Sequence, residues 1–235
     1  EFGRLRGKLF SSILLHSAKK FDSIITVSNS VKDLFNQNNK IETYAICNGV
    51  TVDPIKPDML FTENGVSFVY TGSISNRKRV GVACQAFCNA KAIDTHNKLN
   101  SLTVVGDGPN YAAILKEYSH LPYIKFAGRV SDVRPFLRNT HFFISASASE
   151  GLPNSVMEAM ALGIPIVSTN VGGIPFLIDD KKEGVLVNKN DSDQMSEAII
   201  DIIENSPKEM IANARKKVEN FSWKNVRNKW INLLK

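Results

Sequence analysis

The sequence lacks any long uninterrupted run of apolar residues. No window approaches the roughly 18 consecutive apolar residues that a membrane-spanning helix needs, so we expect a soluble, cytoplasmic chain. The first residues, Glu1 and Phe2, do not begin a signal-peptide pattern. Because the chain does not start with Met, we expect it to be a piece of a longer protein whose N-terminal part is absent.

Cysteine and metal-binding patterns are also scarce. The three cysteines, Cys47, Cys84 and Cys88, have no metal-type spacing, and their odd number favours reduced thiols over a disulfide scaffold. The four histidines are scattered along the chain, and no G-x-S-x-G nucleophile pattern occurs. We therefore predict neither a metal ion nor a cofactor, and no catalytic serine of the hydrolase type.

Charge of one sign is in modest excess, with a formal net charge of +6. The simplest interpretation of the basic residues is a solvated surface, and the alternative is peripheral contact with an anionic membrane at the inner face. We expect such contact to involve the absent N-terminal domain. The basic residues are not interleaved with aromatic residues, so nucleic acid is not an expected partner. They cluster near both ends, at Arg4, Arg6, Lys8, Lys19, Lys20, Arg215, Lys216 and Lys217.

Apolar, β-rich runs alternate with helix-period segments in the middle and second half of the chain. Strands that alternate with helices predict a parallel sheet, and near-continuous apolar strands predict that both faces are covered. We therefore predict a doubly wound, Rossmann-like α/β domain over 66–220. Its predicted strands are 66–72, 101–108, 124–128, 142–147 and 164–169, with helices at 82–93 and 110–118 among others.

The flanking segments suggest a second, incomplete domain. Residues 1–50 are interpreted as the C-terminal remnant of another Rossmann-like domain, and 51–65, with two prolines and little periodicity, as a linker. Residues 221–235 form a predicted amphipathic helix that carries Trp223 and Trp230. Within 1–50 we predict helices at 9–21 and 29–35 and strands at 23–28 and 44–50.

The stretch SEGLPNSVMEAMALGIPIVSTNVGG contains two successive loops that follow predicted strands. From His141 to Ile178 the only charged residues are Glu150 and Glu158, and no cation beside them in sequence neutralises either. Ligands of open α/β sheets bind at the carboxyl ends of strands, where loops 148–154 and 170–173 are predicted to lie. Carboxylates there suit the hydroxyls of a sugar or a ribose, and the N-terminus of the predicted helix 155–162 suits phosphate. These features favour a nucleotide sugar.

Four patterns have competing interpretations. Glu158 could instead close a capping box with Ser155 at the start of its helix. In TGSISNRKRV, the cations Arg77, Lys78 and Arg79 either bring positive charge to a diphosphate or form a solvated helix start. VVGDGP is not a dinucleotide fingerprint, because Tyr111 occupies the third glycine position, and it predicts a tight turn that lets the backbone approach a ligand or a neighbouring loop. Asp191 and Asp193 match a D-x-D metal pattern, but helix capping by an Asp is favoured.

Taken together, these segments resemble the donor-binding C-terminal half of a retaining glycosyltransferase of family 4, the group 1 glycosyl transferases, which have the GT-B fold. The E-x7-E element followed by EAMA-x-G-x-P is the most specific feature. FSWKNVRNKWINLL resembles the terminal helix that returns to the first domain in that family. The resemblance is also carried by ITVSNSVKDLF, ICNGV, FVYTGSISNRKRV, LTVVGDGP and IKFAGRVSDVRPFL, in the family's order.

The resemblance implies a role for each candidate residue. Glu158 would hold the ribose hydroxyls, Glu150 would contact the transferred sugar, and Lys78 would pair with the diphosphate. The backbone at Arg129 and Val130 would read the base. The predicted amide cradle consists of Gly151, Leu152, Pro153, Asn154 and Ser155, and the other predicted donor contacts are Gly72, Ser73, Arg77, Gly172 and Gly173.

The sequence departs from the family pattern at two positions. Ser73 stands where the family usually has Arg, so Arg77 or Arg79 would have to substitute, and Phe176 stands where the family often has Glu. Family members place a catalytic histidine in the N-terminal domain, and His16 does not match its setting. We therefore expect this chain alone to bind nucleotide weakly and to transfer nothing.

The implied reaction transfers a sugar, with retention, from a nucleoside-diphosphate sugar to a hydroxyl of an acceptor sugar or lipid-linked glycan. It belongs to polysaccharide or glycoconjugate synthesis and uses no metal. Two alternatives stay open: a nucleotide-sugar epimerase of GT-B architecture, and a non-catalytic subunit that binds nucleotide or sugar.

Overall fold

A computed structural model of the chain describes residues 16–18, 20–28, 32–33, 36, 42–52, 65–205 and 207–234. Most of the predicted helices 9–21 and 29–35, and most of the predicted linker 51–65, lie outside the described residues. The predicted division into domains stays a prediction. Within the described residues, no helix combines the length and the apolarity that crossing a membrane would require.

The main body is a six-stranded sheet in which every neighbouring pair of strands is parallel. Its strands are β3 (Val66–Thr71), β4 (Leu99–Val105), β5 (Ile124–Gly128), β6 (Phe142–Ser145), β7 (Ile166–Thr169) and β8 (Val185–Val187). In spatial order they are β5-β4-β3-β6-β7-β8, which is the doubly wound Rossmann order.

Helices cover both faces of this sheet. The helices are α1 (Val80–Ile93), α2 (Tyr111–Tyr118), α3 (Arg134–Arg138), α4 (Asn154–Leu162), α5 (Ile174–Leu177), α6 (Ser192–Glu204), α7 (Lys208–Val218) and α8 (Trp223–Leu233). Helices α1 and α6 pack on one face against Phe68 and Tyr70. Helices α4 and α7 pack on the other face, where Val69 and Phe143 are buried.

The prediction of a doubly wound parallel sheet is confirmed, and the predicted strand 124–128 coincides with β5. The predicted end of helix α4 is also confirmed, because Gly163 has a left-handed conformation with φ of 72° and donates its amide to the last turn. The predicted strand 101–108 is shifted, since β4 begins at Leu99 and ends before the glycine turn at Gly106.

A separate two-stranded parallel sheet lies near the start of the chain. It consists of β1 (Ser23–Thr26) and β2 (Glu42–Ala45). The predicted strand 44–50 is wrong beyond Ala45, because the chain leaves this sheet there and runs to the C-terminal helix. Val50 accepts a hydrogen bond from the amide of Trp223, and a Cβ atom placed on Gly49 would lie 2.4 Å from the Trp223 indole. The Asn-Gly step therefore lets the backbone pass beneath the indole.

Candidate functional site

The strand order reverses between β3 and β6, and the two loops that leave these strands meet at their carboxyl ends. Loop 72–79 follows β3, and loop 146–153 follows β6. The amide of Ala148 donates a 2.8 Å hydrogen bond to the carbonyl of Arg77. Arg77 Nη1 donates in turn to the carbonyl of Ser149 and to Glu150 Oε2, each at 3.0 Å. The two loops are therefore bound together at the crevice where doubly wound sheets hold their ligands.

Glu150 is the centre of a buried ion cluster. Lys78 Nζ lies 2.6 Å from Glu150 Oε1, and Ser147 Oγ donates to the same oxygen at 2.5 Å. The Glu150 side chain is 5% exposed, that of Lys78 is 14% exposed and that of Arg77 is 53% exposed. The sequence around Glu150 contains no neutralising cation, but the fold brings Arg77 and Lys78 to it from a loop more than 70 residues earlier.

This cluster keeps Glu150 ionised. Burial raises the pKa of the Glu150 carboxyl, but the hydrogen bonds from Lys78 and Ser147 and the charges of Lys78 and Arg77 outweigh burial. The net result is a pKa below the ordinary value for a glutamate. The site therefore presents a fixed carboxylate with two cations around it.

Two hydroxyl residues that the sequence analysis missed support these loops. Thr169 Oγ1, at the end of β7, donates a 2.7 Å hydrogen bond to the carbonyl of Ser147. Tyr70 Oη donates at 2.9 Å to the carbonyl of Ser73, just after β3. Both donors are buried at the ends of strands. Their signal in the sequence is a polar residue at the last positions of an apolar strand.

The paired glycines of the next loop pack directly on the Glu150 loop. A Cβ atom placed on Gly172 would lie 1.9 Å from the carbonyl oxygen of Glu150, and one placed on Gly173 would lie 1.6 Å from that of Gly151. The amide of Gly173 also donates to the Glu150 carbonyl at 3.1 Å. Only glycine permits this approach, so the loop after β7 fixes the backbone on which Glu150 is held.

The glycine turn after β4 plays the same part for the loop after β3. A Cβ atom on Gly106 would lie 1.8 Å from the Gly72 carbonyl oxygen, and one on Gly108 would lie 2.5 Å from that of Ile74. Asn110 Nδ2 donates to Asn76 Oδ1 at 2.5 Å. The prediction that this turn lets the backbone approach a neighbouring loop is confirmed.

The capping-box interpretation of Glu158 is wrong. Helix α4 begins at Asn154 after Pro153, and no side chain caps it. Ser155 is therefore already the second residue of the helix, and Glu158 lies a full turn inside. Among the described residues no hydrogen bond or ion pair to the Glu158 carboxyl occurs. Burial raises its pKa, and the charge of Asp132 raises it further.

The Glu158 side chain lines a cavity of about 250 Å³. This cavity lies between helix α4 and residues 49–51, the segment that runs to the C-terminal helix α8. Its other walls include Thr51, Arg134, Asn154 and Trp223. Asn154 Oδ1 accepts a 3.0 Å hydrogen bond from Asn48 Nδ2, which ties the crossing chain to the start of α4. A half-buried carboxyl that has no hydrogen-bond or ion-pair partner among the described residues thus faces an open volume.

A second cavity, of about 310 Å³, lies beside the glycine turns. The structure brings together Gly72, Ser73, Arg129 and Val130 around it, with Gly106 to Gly108 as another wall. Arg129 and Val130, which are predicted to contact the base, therefore line the same cavity as the turn at Gly72 and Ser73. Glu158 and Asn154 line the other cavity.

The predicted cradle is only partly exposed. Leu152 and Pro153 are buried, whereas Gly151 is exposed and has Val27 near it, 3.7 Å from an added Cβ atom. Val27 follows β1, so this early segment faces the Glu150 loop. The start of α4 leaves backbone N–H groups without a side-chain cap, as anion sites do.

The two residues that depart from the expected family pattern, Ser73 and Phe176, are both exposed. Ser73 is exposed and contributes its carbonyl to Tyr70, while Phe176 is 44% exposed on α5. Arg79 has a left-handed backbone, with φ of 49°, directly before α1.

Asp191 Oδ1 accepts a hydrogen bond from the amide of Gln194 at 2.8 Å, which confirms its predicted role as a helix cap. The described residues contain no cluster of three or more metal-binding side chains.

Comparison with known proteins assigns the family. The model of the glycosyl transferases group 1 family matches residues 65–205, which include both loops of the Glu150 cluster. The chain belongs to this family. A relative from Methanocaldococcus jannaschii, an uncharacterized glycosyltransferase, is 29% identical over 226 residues, covering 93% of this chain and 60% of the relative. The N-acetyl-alpha-D-glucosaminyl L-malate synthase of Bacillus anthracis is 28% identical over 152 residues, covering 63% of this chain and 39% of that enzyme.

Solved structures share the fold of this group 1 glycosyltransferase chain. TarM superposes with a TM-score of 0.80 at 22% identity, covering 95% of this chain and 45% of TarM. Alr3699/HepE of Anabaena, solved in complex with UDP and glucose, gives a TM-score of 0.79 at 18% identity and covers 95% of this chain and 66% of HepE. The fold is that of the GT-B glycosyltransferases. The chain spans 60% or less of the length of these two curated relatives.

Proposed function

We propose that the full-length protein transfers a sugar from a nucleoside-diphosphate sugar to an acceptor hydroxyl, with retention at the anomeric carbon. The observation that carries the proposal is the buried Glu150 cluster at the carboxyl ends of β3 and β6, within a chain of this family. Such a cluster supplies a fixed carboxylate for sugar hydroxyls and a cation beside it for phosphate. In this proposal the protein is a family 4 enzyme, and Glu150 and Glu158 are the two glutamates of its E-x7-E element.

The donor diphosphate is assigned to Lys78 and to the predicted cradle at the uncapped start of α4, which consists of the loop residues Gly151, Leu152 and Pro153 and the first helical residues Asn154 and Ser155. The leaving diphosphate gains negative charge in the transition state. A fixed cation and oriented amides stabilise that charge more than they stabilise the ground state. The Glu150 ion pair supports this assignment, because it holds Lys78 largely buried at the crevice. No metal ion has a step in the proposed reaction.

The nucleoside is assigned to Glu158 and to the cavity beside the glycine turns. Glu158 would accept hydrogen bonds from the ribose hydroxyls. Its half-buried carboxyl, which lines a cavity and has no partner in the part of the chain that the structure describes, supports this role. The backbone of Arg129 and Val130 would contact the base in the cavity that also contains Gly72 and Ser73. Gly172 and Gly173 act through the loop on which they pack.

Glu150 is assigned to the transferred sugar, whose hydroxyls would share the carboxylate with its cations. UDP-linked sugars are the first donors to test, because HepE was solved with UDP and glucose, and the pneumococcal O-GlcNAc transferase GtfA with UDP and GlcNAc. The expected acceptor is a sugar or a lipid-linked glycan. One matched enzyme, a galactosyltransferase of Escherichia coli, is named for a GlcNAc-diphosphoundecaprenol acceptor.

A non-catalytic binding subunit is the second candidate. Two residues favour it. Ser73 stands where the family usually has Arg and therefore adds no cation to the crevice, and Phe176 stands where the family often has Glu and therefore adds no carboxylate.

Product release from the full-length protein separates the two functions. UDP-, GDP- and ADP-sugars are incubated with the protein and a panel of glycan acceptors, and released nucleoside diphosphate is measured. The transferase proposal expects release that depends on one donor, with a new bond of unchanged anomeric configuration by NMR. Tight binding of a nucleotide with no release from any donor would support the binding subunit instead. Interconversion of the donor sugar without an acceptor would identify an epimerase.

A further inference from the structure

Arg77 takes part in three hydrogen bonds that join the two loops. Its carbonyl accepts from Ala148, and its Nη1 is shared between the Ser149 carbonyl and Glu150 Oε2. These contacts fix the Glu150 loop along three successive residues. Nη1 of Arg77 is thus held on a backbone carbonyl as well as on the carboxylate, whereas Lys78 Nζ contacts only Glu150 Oε1 among the described residues.

The charges of the cluster show why two cations are present. Glu150 carries one negative charge, while Arg77 and Lys78 each carry one positive charge. Without a ligand the cluster therefore has one positive charge in excess. If the diphosphate recruits Lys78, one cation must stay behind to neutralise a carboxylate that is 5% exposed. A buried carboxylate that loses its partner is strongly disfavoured.

Neutral neighbours do not replace that cation. Ser147 Oγ donates to Glu150 Oε1, the oxygen that Lys78 also contacts, and it carries no charge. Arg77 alone contacts the other oxygen, Oε2, among the described residues. The two cations thus bind different oxygens, and one can leave while the other keeps its geometry.

We propose that Arg77 is a positioning residue that holds the Glu150 carboxylate in place while Lys78 is engaged by the donor diphosphate. This inference rests on the proposed function. It differs from the expectation that Arg77 contacts the diphosphate as a substitute for the cation absent at Ser73. Arg77 acts through Glu150, and it makes the charge of Lys78 available to the ligand.

The test compares Arg77→Ala and Arg77→Lys with the wild-type, full-length protein. Binding of UDP, GDP and ADP and of their nucleosides is measured by calorimetry. Without Arg77, Lys78 must neutralise both Glu150 and the diphosphate, so affinity for the preferred nucleoside diphosphate falls about tenfold. Affinity for the corresponding nucleoside stays the same, because the nucleoside carries no phosphate. Arg77→Lys keeps the charge and recovers part of the loss. Lys116→Ala, which removes an exposed cation on α2, is the control for net charge and changes neither affinity.

The second readout is the titration of Glu150 itself, followed by carboxyl carbon NMR and assigned with Glu150→Gln. In Arg77→Ala the pKa of Glu150 rises relative to the wild type, and the acid limb of kcat/KM moves to higher pH with it. A purely structural role would lower the melting temperature and reduce nucleoside and nucleotide affinity in parallel, with no change in the Glu150 titration. That result overturns the proposal.

The two proposals fail in different ways. If the wild type transfers no sugar from any donor, the proposed function fails, but the NMR titration and the nucleotide affinities still test Arg77. If transfer is found and Arg77→Ala leaves both the Glu150 pKa and the affinity for nucleoside diphosphate unchanged, only the role of Arg77 is refuted.

Discussion

A Cβ atom placed on Gly173 would lie 1.6 Å from the carbonyl oxygen of Gly151, so the two loops are in backbone contact. We predict that Gly173→Ala forces them apart and lowers the free energy of unfolding by about 1–3 kcal/mol, as overpacking does. Urea unfolding measures the loss. Gly81→Ala is the control, because Gly81 lies in α1 and its added methyl group meets only the flexible end of Ile114 at 3.2 Å. Equal stability of Gly173→Ala and wild type would contradict the described loop contact.

The backbone of Arg79 supplies a second prediction about stability. A non-glycine residue with φ of 49° is strained, by about 1–2 kcal/mol relative to a right-handed conformation, and its Nε is buried without a hydrogen-bond partner in the described part of the chain. We therefore expect Arg79→Gly to stabilise the protein by about 0.5–1 kcal/mol, after the entropy of glycine in the unfolded chain is included. Arg79→Ala keeps the strain and removes the guanidinium. If both variants stabilise equally, backbone strain is not the cause.

His141 makes stability depend on pH. The Ser67 amide donates to His141 Nδ1 at 3.1 Å, which requires that nitrogen to be unprotonated, and the Ser67 hydroxyl lies 3.0 Å from it. Burial lowers the pKa of His141 below its ordinary value of 6.5. A base whose pKa is lower in the folded state contributes full stability above the unfolded pKa, and this contribution is lost as the pH falls below it.

We therefore expect the wild type to lose stability between pH 7 and pH 5, as measured by urea unfolding at each pH. His141→Asn, which keeps an acceptor near the position of Nδ1 and does not titrate, should lose less over the same interval. Identical pH dependence of the two proteins would show that His141 does not titrate as described.

Glu158 is the best position at which to separate a ligand role from a structural one. We predict that Glu158→Gln weakens nucleoside binding by about 1–3 kcal/mol, because a charged acceptor for ribose hydroxyls is lost. Since burial and Asp132 raise the pKa of Glu158, nucleoside affinity of the wild type should begin to fall at a higher pH than an ordinary glutamate would give. Calorimetry at several pH values measures both effects. Unchanged affinity with reduced stability would return Glu158 to a structural role.

The fold could be predicted from the sequence where apolar runs were long. The runs at 66–72 and 142–147 correspond to β3 and β6, and the alternation with helices predicted a parallel sheet. Strand β8, with three residues, and helix α3, with five, were missed because a period cannot be recognised over so few positions. The order of the strands came only from the structure.

The site was predicted less completely, for two physical reasons. Neighbours in sequence say little about the partners of a buried charge, and Glu150 obtains both cations from the loop after another strand. A signal existed, because the first and fourth strands of a doubly wound sheet are adjacent and their loops meet. The capping box failed because the helix begins at Asn154, so Ser155 lies inside the helix and is not its cap.

The proposed function requires that this crevice bind a nucleoside diphosphate, and calorimetry of UDP, GDP and ADP with the wild type, Lys78→Ala and Glu158→Gln tests this requirement directly. We predict that one of these nucleotides binds the wild type. Lys78→Ala should weaken the diphosphate far more than the nucleoside, and Glu158→Gln should weaken both. Absence of binding by all three, or binding that neither substitution changes, would contradict the account.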